Sequence, residues 1–333
     1  MNTPKFWMIT NRNRKDTTLG RDRAGLSYWL SDKGPLDRLN NWSAVSPKGF
    51  KDALIDAAGQ YPVITDPGGH MDQKHVTVFV HGYNNDWTDA ARRYQQICDD
   101  LYPGKNGLGL CILFTWPADG SPLHYLPDRA DARESAIDLA SVLCKFYDWL
   151  LLKQAEAAGN PQDPTKGCHV KTSLIAHSMG NYLVQKAMQL AWTRNNQPLL
   201  VSLLNQVLMV AADVDNDLFK SGETSDKSDG DAMANLCYRI TALYTGRDSV
   251  LGMSAGLKHF GKRRLGRSGL DRSAPAPDNV WDADCSLLIP KDHDNIHSAY
   301  FEAQKTQELM RHVLRGSDRG VIENSFGKLI PRR

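Results

Sequence analysis

Several things are missing from this sequence, and each absence excludes something. No stretch approaches the roughly 18 consecutive apolar residues that a membrane span needs; the richest runs, Leu108–Trp116 and Leu199–Ala212, are of strand length or broken by Asn and Gln. No transmembrane segment is expected. An excess of one charge is missing too: 40 Lys+Arg face 38 Asp+Glu, a net charge of +2. A dedicated nucleic-acid binder needs a cationic surplus to replace the counterions on phosphates, so nucleic acid is not expected as a partner. Cysteine is sparse: Cys98, Cys111, Cys144, Cys168, Cys237 and Cys285 form no C-x-x-C pair. Several sit in apolar runs, where a thiol behaves as a small hydrophobe, so they read as reduced core residues rather than a disulfide or metal framework. The opening MNTPKFWMITNRNRKD has no apolar core or small-residue cleavage site of a signal peptide. The resulting expectation is a cytoplasmic protein. Internal repeats and low-complexity tracts are lacking as well.

The remainder is ordinary: 333 residues, 41% hydrophobic and 23% charged, a globular composition that excludes disorder as the main state. The length allows two domains or one decorated α/β domain. Residues 1–74 read as an N-terminal decoration, with strands at Phe6–Thr10 and Leu26–Ser31 between polar, turn-rich stretches at Asn11–Asp22 and Asp32–Gly49. From His75 a regular alternation begins. Strands are expected at His75–Val80, Leu108–Trp116 (stopped by Pro117 and Asp119-Gly120-Ser121), His169–Ile175, Gln206–Ala212, Tyr238–Thr245 and Ser286–Ile289. Helices are expected over Trp87–Leu101, Asp131–Ala157, Met179–Trp192 and Ser298–Leu314. Such alternation implies a mostly parallel sheet covered by helices on both faces, with ligands at the C-terminal strand ends. Two insertions interrupt it: the polar Lys220–Asp231, read as a mobile loop, and the basic 252–284, read as a solvated, lid-like surface.

The sharpest signal is Leu174-Ile175-Ala176-His177-Ser178-Met179-Gly180-Asn181, a strand running straight into a helix with serine at the corner. A nucleophile elbow turns so tightly that small residues must flank the serine at −2 and +2, and Ala176 and Gly180 meet that need. The helix N-terminus then offers positive dipole and N–H groups to an oxyanion. Acyl transfer needs two such N–H donors, one after the nucleophile and one from an early strand-helix loop. Met179 supplies the first; Tyr83, in His81-Gly82-Tyr83-Asn84-Asn85, supplies the second. His81 reads as a brace for that loop more than as a base, while His81, His177, Arg263 and Arg264 stand as substrate-binding candidates.

On these and further stretches the chain resembles α/β-hydrolase-fold serine hydrolases, and is similar to a bacterial lipase- and esterase-like family of poorly defined substrate. The stretches are FWMITNR, VFVHGYNNDW, FTWP, DRADARESA, IAHSMGN, MVAADVDNDLF and HSAYF. The resemblance implies an α/β-hydrolase fold with an N-terminal strand decoration, residues 75–333 as catalytic core, an insertion between the last two strands, and one structural domain overall. It also implies an ester-hydrolysing Ser-His-Asp enzyme without a cofactor, though it does not imply a substrate; a small-molecule or lipid ester is the partner expected. The acid is left between Asp213 and Asp248, both ending predicted strands; Asp248 resembles the more common family location. The base is left between His293 and His297, and His297 resembles the family's position, before the closing helix.

The same segment, His293-Asp294-Asn295-Ile296-His297, is a near miss to a zinc-protease H-E-x-x-H. It lacks the Glu and a third ligand, so no metal is expected. Gly256–Lys262 spells G-x-x-x-x-G-K, but Arg263 stands where Ser or Thr would hold magnesium. The expected protein is thus a carboxylic ester hydrolase. Amidase, peptidase or phospholipase activity on the same machinery, or a non-catalytic interaction module, are the alternatives.

Overall fold

Buried strands form where the sequence runs apolar without interruption. β4 (Lys74–Val80) and β5 (Gly109–Thr115) pair in parallel, with Val76 opposite Leu110 and Phe79 opposite Leu113, as strands covered on both faces do. The computed structural model describes residues 4–329 apart from 65–66, 105–106, 119–124, 164–169, 196–201, 223–226 and 260. The turn expected at Asp119-Gly120-Ser121, Cys168 and part of the expected Lys220–Asp231 loop lie outside the described residues. By its internal contacts the chain divides into two compact units, Met1–Ser173 and Leu174–Arg333.

In the first unit the strand order is β3-β2-β1-β5-β4-β6. β1 (Phe6–Lys15) runs parallel to β5 and antiparallel to β2 (Thr18–Ser31), which carries the short β3 (Ser43–Val45) on its far side. The stretch expected to be turn-rich at Asn11–Asp22 is instead the far end of this hairpin, with Lys15 opposite Thr18 and Asp16 at φ 46°. Its polarity reflects exposure of the hairpin tip rather than loss of the ladder. Helices α1 (Pro47–Gly59), α2 (Trp87–Leu101) and α3 (Tyr125–Gly159) follow. Ser46 and Asp86 cap the first two, accepting from Gly49 N–H at 3.0 Å and Asp89 N–H at 2.9 Å.

β6 (Val170–His177) starts in the first unit and ends in the second, where the order continues β6-β7-β8-β9. There α4 (Gly180–Asn195) leaves β6 at once, and β7 (Leu204–Val210), β8 (Cys237–Tyr244) and β9 (Val280–Asp284) pair in parallel. β9 corrects two expectations. The last strand is Val280–Asp284, inside the stretch read as an insertion, and Ser286–Ile289 is a turn whose Leu287 is 87% exposed. Polar Asp282 disguised the strand: it is buried, accepts from Leu270 N–H at 2.8 Å and pairs with Arg272. Part of the expected mobile loop is ordered as α5 (Lys227–Leu236), and the closing helix is a 3-10 turn at Ala299–Phe301 followed by α8 (Gln304–Arg315) and α9 (Arg319–Phe326). No helix among the described residues is long and apolar enough to cross a membrane.

Between β8 and β9 the chain forms α6 (Ser249–Met253), a π-helical turn at Ser254–Lys258 and α7 (Leu265–Ser268). Gly266 of α7 donates to Ala212 carbonyl at 2.9 Å, and a Cβ on it would stand 2.2 Å from the backbone of Ala211 and Ala212. Backbone cannot yield as a side chain does, so Gly266→Ala should lower the unfolding free energy by about 2 kcal/mol. A urea midpoint unchanged from the parent would refute this close approach.

Candidate active site

Ser178 follows β6 directly and sits at φ 51°, a left-handed backbone that costs a non-glycine residue roughly 1–2 kcal/mol. The surroundings hold it there. Ser178 N–H donates to Val210 carbonyl at 3.0 Å, and its own carbonyl accepts from Asn181 N–H at 3.1 Å and Asp213 N–H at 3.2 Å. The buried Asn181 side chain ties the turn from inside, its Nδ2 donating to the carbonyls of Ala176 (3.0 Å), Ser178 (3.1 Å) and Val210 (3.3 Å). Met179 N–H has no acceptor among the described residues, whereas Met179 carbonyl already accepts from Tyr182 and Leu183. Asn181 is a contributor to which sequence reasoning assigned no role; its signal was an amide side chain in the first turn of a helix that follows a tight corner.

Asp248 and His297 meet in the same unit. His297 Nδ1 lies 2.7 Å from Asp248 Oδ2; a carboxylate only accepts, so Nδ1 carries a proton, and in the neutral tautomer this contact selects, Nε2 bears the lone pair. Asp248 is fully buried and uses its other oxygen, Oδ1, to cap α6 through Leu251 N–H at 2.9 Å. Its carbonyl accepts from Gly252 N–H and the Arg267 guanidinium. His177 Nε2 donates to His297 carbonyl at 3.0 Å, and its ring packs 4.9 Å from that of His297 and edge-on to Phe301. His177 is thereby engaged in holding the segment that carries His297. His293 is turned elsewhere, with Nε2 at 3.1 Å from Glu302.

Asp213 has a different fate. Its Oδ1 accepts from Arg264 Nε at 2.8 Å and Ser254 Oγ at 2.9 Å, while Arg264 also donates to Asp213 carbonyl and pairs with Asp215. Arg264 is 0% exposed. This corrects the reading of 252–284 as a solvated basic surface. Lys262 pairs with Asp215, Arg272 with Asp282, and Arg267 with a carbonyl; Arg263 is exposed. Carboxylates at strand ends draw in the cations, so Arg264 is a structural tie rather than a substrate contact. A buried guanidinium stripped of either carboxylate would be strongly unfavourable.

In the first unit the loop after β4 carries His81 and Tyr83. His81 is buried, stacks on Trp116 at 5.3 Å, and has Nδ1 at 2.8 Å from Gly82 carbonyl. That carbonyl must accept, so Nδ1 holds the proton and Nε2 accepts from Trp116 N–H (3.2 Å) and Thr115 Oγ1 (3.0 Å). Burial, reinforced by the positive charge of Arg12, pushes its pKa down to about 3. Arg12 lies buried on β1 and donates to Thr115 Oγ1 and to the carbonyls of Gly20 and Asn85. Asn85 Nδ2 in turn donates to Gly82 and Tyr83 carbonyls. His81 is therefore a brace with no lone pair or proton left for substrate. The Tyr83 ring packs edge-on to Tyr125 at 5.4 Å. Among the described residues no group of three His, Cys, Asp or Glu side chains is placed to hold a metal ion.

Residues 66–156 and 162–304 match the family described as alpha/beta hydrolase of unknown function (DUF900), and the chain belongs to that family. A curated relative, an uncharacterized protein of Nostoc sp., is 26% identical over an alignment of 132 residues that covers 33% of this chain and 30% of that protein; the match spans less than a third of that protein's length. Aspergillus fumigatus lipase B is similar in structure with 12% identity and a TM-score of 0.41, covering 96% of this chain and 68% of its own. An esterase of Pyrobaculum calidifontis is similar with 13% identity and a TM-score of 0.38, covering 76% of each chain.

The His81 environment predicts a pH dependence of stability. Below pH 6.5 the unfolded imidazole binds a proton that the native one refuses until about pH 3. Stability from this group is therefore complete above pH 6.5 and falls as pH drops through that window, by up to about 1.4 kcal/mol per pH unit. In His81→Gln that part of the slope should vanish when urea unfolding is followed at pH 7, 6 and 5; a slope equal to the parent's would contradict it.

Proposed function

We propose that the chain is a serine hydrolase that cleaves carboxylic esters. The observation that carries this reading is the 2.7 Å contact between His297 Nδ1 and buried Asp248, in the same unit as a serine held in left-handed geometry at a strand-helix corner. With Nδ1–H committed to Asp248, His297 Nε2 is the atom that takes the Ser178 proton as Oγ attacks the ester carbonyl. Asp248 then stabilises the imidazolium. The carbonyl oxygen gains negative charge, and the Met179 N–H just before α4, which has no acceptor among the described residues, supports its stabilisation; Tyr83 N–H is the second donor expected from the sequence pattern. His297 returns its proton to the leaving alcohol, and water activated by the same ring releases the acid from the acyl-enzyme. A small-molecule or lipid ester and a cytoplasmic setting belong to the same reading. The latter is supported by the unbridged thiols of Cys98, Cys111, Cys237 and Cys285.

Ser178→Ala should abolish both p-nitrophenyl ester turnover and labelling by a fluorophosphonate. Asp248→Asn should cut kcat by about 10⁴ by reversing the imidazole tautomer, with Asp213→Asn acting mainly on stability. Turnover retained in Ser178→Ala, or a larger catalytic loss in a folded Asp213→Asn than in Asp248→Asn, would overturn the assignment. A panel of esters of increasing acyl length, run with and without phospholipid micelles, separates esterase from phospholipase preference.

A further inference from the structure

In the first unit α1 and α3 leave an apolar cleft between them. On α1, Phe50, Ala57 and Ala58 are buried, but Leu54 and Ile55 are only half-buried. On α3, Phe146 and Trp149 are half-buried and Leu152 is 61% exposed. Phe50, Leu54, Ile55, Phe146, Trp149 and Leu152, with Ile9 and Val76 of the strands, line a cavity of about 480 Å³. That volume lies within the roughly 300–1,000 Å³ of small-molecule sites, and a wet apolar cleft of this kind is unfavourable unless something occupies it.

Two polar features accompany the apolar lining. Lys48, Lys51 and Lys145 line the cavity and are exposed, against one acidic lining residue, Asp148. Lys48 is tied to Asp52 at 2.6 Å, but Lys51 and Lys145 form no ion pair among the described residues; Lys145 Nζ reaches only the Tyr28 hydroxyl, at 3.5 Å. Trp149 Nε1–H, on a residue of the cavity wall, is shielded from solvent and meets no acceptor among the described residues, an unsatisfied donor that costs free energy. The residues therefore suit a ligand with a long apolar tail and one anionic, hydrogen-bond-accepting head. Lysine stems can follow the tail while their ammonium groups meet the head.

We propose that this cavity is a binding site for a long-chain free fatty acid, its tail among Leu54, Ile55, Phe146 and Trp149 and its carboxylate at Lys51 and Lys145. The site stands apart from the hydrolase reading: none of Ser178, Asp248 and His297 lines it.

The test is calorimetric titration of the full chain with palmitate below its micellisation concentration, with hexadecyltrimethylammonium as the charge-reversed probe. One saturable palmitate site is expected, at least tenfold weaker in the surface double variant Lys51→Glu/Lys145→Glu with unchanged Tm. Filling the cleft with Leu54→Trp should remove binding. Absence of saturable binding overturns the proposal. So does equal affinity for the cationic amphiphile, or palmitate binding that neither the lysine changes nor Leu54→Trp alters. The same titration in Ser178→Ala should give the parent's affinity, so that binding in the cleft is read independently of catalysis.

Discussion

The corner at Ser178 constrains the second unit. A serine at φ 51° relaxes unless neighbouring backbone over-determines it, and that restraint comes mostly from the end of β7. Val210 carbonyl receives both Ser178 N–H and Asn181 Nδ2, and Asp213 N–H closes back onto Ser178 carbonyl. β7 can do this because it too turns sharply, Ala211 adopting φ 45° while donating to Leu243 carbonyl. Gly266 then seals Ala212 from the far side, where no side chain fits. The strain is thus spread along a row of strand ends, each bonded to the next, and no single hydrogen bond of about 1 kcal/mol has to carry it.

The same row explains why two similar aspartates end in different roles. Asp213 and Asp248 each follow a parallel strand, and nothing local tells them apart. The difference is made by Arg264, 51 residues beyond Asp213 in sequence, whose buried guanidinium takes Asp213 and Asp215 together. A carboxylate already paired with a permanent cation has little left with which to orient an imidazole. The Asp248 carboxylate, by contrast, divides its two oxygens between a helix N-terminus and His297. The bland role of helix cap and the proposed role of triad acid coexist, because a carboxylate has two oxygens and the cap fixes the direction of the second.

What the sequence revealed follows the same physics. Mostly apolar runs marked β4, β5 and β7, and α2 matches its amphipathic pattern from Trp87 to Leu101. The elbow was legible because steric smallness at Ala176 and Gly180 is a local requirement. Where satisfaction of a polar group came from afar, the pattern misled. Val280-Trp281-Asp282-Ala283-Asp284 passes for the end of a lid-like insertion until Leu270 N–H and Arg272 are seen to meet Asp282, and Ser286–Ile289 looks like a strand although Leu287 points to solvent. Lys262, Arg264 and Arg272 suggested a surface for the same reason: charge alone does not reveal that their carboxylate partners lie just after β7 and on β9.

The proposed base must also be held, and the two histidines of one loop differ in how they are held. His293 reaches Glu302, a partly exposed pair that in water is worth little, and its neighbours Asp292 and Asp294 leave the ring on a solvated turn. His297 is fixed at both ends of the residue: its Nδ1 by buried Asp248, its carbonyl by His177 from the position just before Ser178. His177 is itself packed against Phe301, which lies in the 3-10 turn that follows His297. The imidazole orientation is therefore tied to the elbow through backbone and side chain together. An off-rotamer excursion of His297 would cost the Asp248 contact and loosen its packing on His177, and that coupling separates a histidine held in one orientation, as the proposed base has to be, from one that merely sits nearby.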